Sequence, residues 1–152
     1  MPEETMKMYG FFIEQTAKKI RQHLQKKLNE IEADITVDQW VILDLLQKTD
    51  GLSQNELAIQ SYKDAPTVTR IIDLLCKKGL LARHADQQDR RRFNIVLTNS
   101  GKQKIKEVYP TVVAVRKQGW SGLGSTEYEQ LIGILNKVFK NLNHEQAQYI
   151  VK

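Results

Sequence analysis

Residues 53–98 read SQNELAIQSYKDAPTVTRIIDLLCKKGLLARHADQQDRRRFNIVLT. Ser53 and Glu56 stand at the spacing of a capping box, in which a hydroxyl takes the third helical amide and a carboxylate reaches back to the cap amide. A short helix therefore opens at Ser53 and runs to about Gln60, with Leu57 and Ala58 turned inward. Ser61 to Asp64 is a tight connection. Asp64 caps the helix that follows, and Pro66 sits in its first turn, where a missing amide costs little. That helix runs to Lys78 and stops at Gly79, a residue that accepts the left-handed backbone past a helix end. Placed on a helical wheel, Val68, Ile71, Ile72 and Leu75 share one face. Pro66, Thr69, Arg70, Asp73 and Lys77 share the other, with Thr67 at the flank. Leu80–Ala85 and Phe93–Leu97 are short apolar runs around the polar turn Asp86–Arg92, which is the pattern of a β-hairpin.

Outward from this stretch the chain is helical. Met6, Tyr9, Ile13, Ala17, Ile20, Leu24, Leu28 and Ile31 recur every three or four residues, so one long amphipathic helix is expected over about 4–32. Thr36 and Gln39 form another capping box, opening a helix that Asp50-Gly51 ends. Thr98 caps a helix over 99–119 that Pro110 should kink. Residues 120–124 are a loop, and Ser125 opens a last helix with Tyr128, Leu131, Leu135, Val138, Phe139 and Leu142 on one face. The expected fold is mainly α with a small β-hairpin wing: a winged helix-turn-helix with N- and C-terminal dimerisation helices. The 152 residues form a single domain, with a binding lobe at 36–98 and helical regions at 1–35 and 99–152. These flanking helices are too amphipathic to lie uncovered in water. Tyr149, Ile150 and Val151 even place apolar groups at the terminus, where fraying is usual. Burial against a second copy explains this; packing within one subunit is the alternative.

Composition removes several classes. A single cysteine, Cys76, allows no internal disulfide framework and no zinc cluster, which suits a reducing, cytoplasmic setting. No apolar run approaches a membrane span, and the first ten residues lack the layout of a signal peptide. His23, His84 and His144 have no metal-ligand spacing. No phosphate loop, nucleophile motif or carboxylate pair is present, so no enzyme, cofactor or metal site is expected. The net charge of +5 is concentrated: residues 63–104 hold ten Lys/Arg against four Asp, and the rest of the chain holds 13 basic and 14 acidic residues. Such a segment is the footprint of a polyanion binder.

The outer face of the 66–78 helix suits a DNA major groove. Arg70 can donate two bonds to a guanine edge or hold a phosphate. Thr67 and Thr69 can do either, and Pro66 can touch a thymine methyl. Ser53, Gln54 and Asn55 at the preceding helix start are natural phosphate contacts, and Lys63 and Lys77 add charge nearby. At the hairpin tip stand Asp89, Arg90, Arg91 and Arg92. Three consecutive arginines repel one another, and surface ion pairs return little. A narrow, negative minor groove reverses that sign. Asp89 can hold one arginine by a fork-shaped pair. A solvated turn is the bland alternative for the tip.

KDAPTVTRIIDLLCKKGLLAR (63–83) followed by DQQDRRRFNIVLTNSGK (86–102) resembles the MarR (multiple antibiotic resistance regulator) family of winged-helix transcription factors. Asp89-x-Arg91, then Ile95-x-Leu97-Thr98 and Gly101, matches that family's wing signature. Thr36-x-x-Gln39-Trp40 and Lys77-Lys78-Gly79-Leu80 also match. The resemblance implies a regulator of transcription, a repressor by default. It implies a homodimer with the first, fifth and sixth helices packed together, bound to a palindromic double-stranded DNA operator. Arg91 becomes the arginine that reaches the minor groove, with Asp89 its orienting partner. Members often take a small lipophilic or phenolic effector, for which Tyr9, Phe11, Phe12, Trp40, Tyr109 and Trp120 are candidate lining residues. Redox-sensing members carry a cysteine near the start of the first helix, and none stands there. Two other readings compete: a winged-helix module that binds protein rather than DNA, and a non-specific architectural DNA binder. The polar outer face at 66–77 speaks against the first, and a groove-sized helix would be redundant in the second.

Overall fold

The computed structural model describes residues 1, 3–6 and 8–143. The expected first helix is divided. A single turn, α1 (Glu3–Met6), precedes α2 (Tyr9–Glu30), and Met8 at the junction offers no side-chain cap. α2 buries only Leu24 and Leu28, both near its end. The connection that follows uses left-handed backbone at Glu32 (φ 53°) and Asp34 (φ 54°), a region few non-glycine residues adopt. Two lysines hold it, Lys104 Nζ donating to the Ala33 carbonyl (3.1 Å) and Lys78 Nζ to the Asp34 carbonyl.

Thr36 opens α3 (Val37–Lys48) with both halves of the capping box formed, each at 3.1 Å. α3 then supplies Trp40, Ile42, Leu43 and Leu46 to the core. Gly51 (φ 81°) turns the chain into a strand that the sequence did not announce, β1 (Leu52–Ser53). α4 (Gln54–Ser61) and α5 (Ala65–Lys77) follow, then β2 (Leu81–Ala85) and β3 (Phe93–Leu97). The three strands are antiparallel in the order β1-β3-β2. α6 (Asn99–Gly119) runs unbroken through Pro110. It is locked to the base of the hairpin by Thr98, whose hydroxyl accepts from the Gly101 amide (3.0 Å) and donates to the Gly79 carbonyl (2.6 Å).

The chain divides into two compact units, residues 1–115 and 116–152. The core of the first is one apolar cluster. Val68, Ile72 and Leu75 of α5 meet it from one element, and Ile105, Val108 and Val112 of α6 contribute from another. Burying each such side chain is worth about 1.5–3 kcal/mol, so α5 is held firmly by the face opposite its polar side. In the second unit Trp120 stacks edge-on against Tyr128 at 5.7 Å, and its indole N–H donates to the Gly124 carbonyl (3.3 Å). Glu127 accepts from the Gly124 amide (3.0 Å) at the start of α7 (Ser125–Leu142). No residue of α7 is buried. Tyr149, Ile150 and Val151 lie outside the described residues. Among the described residues no helix is long and apolar enough to cross a membrane.

Candidate nucleic-acid interface

The interface starts with two caps. Ser53 takes the Glu56 amide (3.2 Å) while Glu56 takes the Ser53 amide (3.0 Å). Asp64 takes the Thr67 amide (2.9 Å) and the Thr67 hydroxyl (2.8 Å). Between the two helices Tyr62 adopts the left-handed conformation (φ 55°), which closes the turn. The Thr67 amide and hydroxyl hold the Asp64 carboxyl below its usual range, and the Ser53 amide does the same for Glu56, with help from Arg92 and against partial burial. Both helix starts therefore keep a carboxylate in its charged form, Glu56 in the first turn of α4 and Asp64 at the cap of α5.

The polar face of α5 carries directional chemistry. Thr67 gives its only hydroxyl proton to Asp64, and Thr69 gives its own to the Ala65 carbonyl (3.0 Å). Each threonine then offers acceptor capacity and a methyl, but no hydroxyl donor, to an incoming groove. A phosphate accepts and cannot donate, so it is a poor partner for either threonine. A base amine or a thymine methyl is a good one. Pro66, Arg70 and Lys77 are exposed, as is Asn55 at the start of α4. Ser53 is buried, its hydroxyl occupied by the cap.

Not all of the basic segment faces solvent unpaired. Lys63 Nζ lies 2.6 Å from Asp38, which also takes Arg21 at 2.6 Å. Burial pushes the Asp38 carboxyl up, but bonds from Lys63 and Arg21 outweigh it and the net shift is downward. Arg92 pairs with Glu56 (2.5 Å) and Asp86 (3.6 Å), anchoring the wing to the start of α4. Asp89 accepts from the Arg91 backbone amide (3.0 Å), and among the described residues makes no fork-shaped pair with an arginine side chain. The carboxylate thus shapes the turn, not the guanidinium. Arg70, Lys77, Arg90 and Arg91 make no ion pair or side-chain hydrogen bond among the described residues, and all four are exposed.

One residue of the network escaped the sequence reading. Arg83 on β2 donates Nε to Gln54 Oε1 (3.1 Å) and Nη2 to Asp73, and Gln54 Nε2 donates to Thr69 Oγ1 (3.2 Å). The signal was available. Strand side chains alternate, and Arg83 follows inward-facing Leu81 by two positions. Arg83 also approaches Cys76 Sγ at 3.9 Å. Burial pushes that thiol up, with Arg83 opposing, so Cys76 is not an activated thiolate.

A capped helix pair with an outward cationic face, joined to an arginine-tipped hairpin, defines a winged helix-turn-helix DNA-binding protein. Comparison with known proteins agrees. The MarR family profile matches residues 35–93. The chain is 28% identical over 137 residues to the transcriptional repressor MprA of Escherichia coli K12, covering 85% of this chain and 78% of that protein. It is similar to the S. aureus MepR–DNA complex, with TM-score 0.79 and 30% identity over 88% of this chain and 97% of MepR. Bordetella bronchiseptica BpsR, whose DNA binding is regulated by 6-hydroxynicotinic acid, shares the fold, with TM-score 0.80 at 22% identity over 91% of this chain and 97% of BpsR. The chain belongs to the MarR family and is a DNA-binding transcriptional regulator, not an enzyme.

Proposed function

We propose that this regulator is a repressor that binds a palindromic operator as a homodimer. The observation that carries the reading is the pair of exposed cationic surfaces, Arg70 on α5 and Arg90–Arg91 at the wing tip, on one lobe and without an ion pair among the described residues. In this reading Pro66, Thr67, Thr69 and Arg70 face the major groove, Asn55 and the amides at the start of α4 hold phosphate, and Lys77 adds charge at the edge. Gln54 stands beside Thr69, while Ser53, Lys63 and Arg92 act by holding the lobe in shape. Repression is supported by MprA, itself a transcriptional repressor.

The dimer is supported by uncovered apolar surface. Tyr9, Phe12, Ile13 and Ile20 form a stripe along α2, and all are exposed. Tyr128, Leu131, Ile134 and Leu142 are exposed on α7. A symmetric pair buries such stripes and sets two readers at the spacing of palindromic half-sites. Of the six rings assigned to an effector pocket, Trp40 is buried in the core, and Tyr9, Phe11, Phe12 and Tyr109 are exposed.

Selection of bound DNA from a random pool tests the reading, and two inverted half-sites are the expected product. Arg70→Ala should then weaken the selected site by about 5- to 150-fold, the worth of one bidentate base contact, and random DNA far less. Equal losses on both, with a salt slope reduced by about 0.9, would make Arg70 a phosphate contact. Placing Asp at both Phe12 and Ile20 should convert the dimer to monomer in sedimentation velocity. An unchanged mass would locate the interface elsewhere.

A further inference from the structure

Arg83 stands where an arginine has no obvious reason to be. Its register partner on β3 is Ile95, which is fully buried, so both side chains leave the hairpin on the core-facing side. The Arg83 side chain is 30% exposed, but its guanidinium is already engaged within the protein. It spreads over three receivers: the Gln54 amide oxygen (3.1 Å), the Asp73 carboxylate and, more loosely, the Cys76 sulfur (3.9 Å). These receivers lie on α4 and on α5, so one side chain ties the wing to both helices of the reading head.

Two consequences follow for the groove-facing surface. Gln54 Oε1 accepts a hydrogen bond from Arg83, so its amide can have only one orientation, with Nε2 turned toward Thr69 Oγ1 (3.2 Å). Thr69 has already given its proton to Ala65, so it accepts that bond and the pair is fixed in direction. Asp73 is the acidic residue on the polar face of α5, and Arg83 supplies the opposite charge. Without it, an unpaired carboxylate would stand on the face that approaches phosphates.

We propose that Arg83 is a positioning residue for specific DNA reading: it presets the Gln54–Thr69 pair and neutralises Asp73, and takes no phosphate itself. This rests on the reading of α5 as the groove-facing helix. A guanidinium is suited to the task because it is planar and donates in several directions at once, which an ammonium cannot copy.

The test measures affinity of the full-length protein for its pool-selected duplex and for a scrambled duplex, over a salt series. Arg83→Gln is expected to lose about tenfold on the selected duplex and less than twofold on the scrambled one, with the salt slope unchanged. Arg83→Lys, which keeps the charge and serves if the first variant unfolds, should show the same loss of specificity. Combining Arg83→Lys, which keeps a positive charge beside Asp73, with Gln54→Ala should cost no more than Gln54→Ala alone, since the contact that Arg83→Lys gives up is the one to Gln54. A slope reduced by about 0.9 with equal losses on both duplexes would make Arg83 a phosphate contact and overturn the proposal. Full affinity in Arg83→Lys would overturn it too, as would equal losses accompanied only by a lower Tm. If the wild-type protein enriches no sequence from the pool, the groove-facing reading fails, and this proposal fails with it.

Discussion

Replacing Gly101 with alanine is expected to destabilise the protein by about 3 kcal/mol, the upper end of overpacking costs. The added Cβ would lie 2.1 Å from the Leu80 carbonyl oxygen and 3.1 Å from its carbon. Both are backbone atoms, so no rotamer change relieves the contact. The same oxygen accepts from the Thr98 amide (3.1 Å), and Thr98 in turn caps α6 through Gly101. Separating the helix from the hairpin therefore breaks the junction that holds the wing. For a chain of this size the loss corresponds to a Tm lower by about 6–12 °C, which a thermal melt followed by circular dichroism would read. A Tm within a degree or two of wild type would mean that α6 can slide along the hairpin at little cost. DNA affinity should fall with stability, because the base of the wing moves.

Arg91→Ala should leave folding unchanged and weaken the selected operator by about 10- to 100-fold, the range of a lost charge-assisted contact. The reasoning rests on where each tip arginine is spent. Arg92 is committed to Glu56 and Asp86, so its removal should lower stability before it touches DNA chemistry. Arg91 has its backbone amide fixed by Asp89, while its guanidinium is exposed and unpaired among the described residues. A side chain rooted in a shaped turn can enter a narrow minor groove at a smaller ordering cost than one on a floppy loop. Fluorescence anisotropy at moderate salt measures the loss. Unchanged affinity there would show that the wing does not touch the operator.

Local chemistry made much of the fold readable in advance. The Thr36/Gln39 and Ser53/Glu56 boxes and the Asp64 cap use side chains three residues apart, so spacing alone locates them, and each is formed. The polar and apolar faces of α5 follow from helical period. β1 was not legible because two residues are too few to show alternation; its identity comes from pairing with Ile95 and Asn94, far along the chain. The candidate site divides the same way. Which residues face outward on α5 could be read. Which cations are already spent could not, because Lys63 finds Asp38, Arg83 finds Gln54 and Arg92 finds Glu56 only after folding brings distant segments together. Asp89 illustrates the point at short range. Its role in the turn depends on backbone direction, and its carboxylate took an amide where a guanidinium had been expected.

Asp38 holds Arg21 of α2 with one hand and Lys63, just before α5, with the other. A carboxylate shared by two cations is a common anchor: Asp38 ties α2 to the turn that leads into α5 through one side chain. Removing the Asp38 carboxylate would therefore release both segments at once, the long N-terminal helix and the turn ahead of α5.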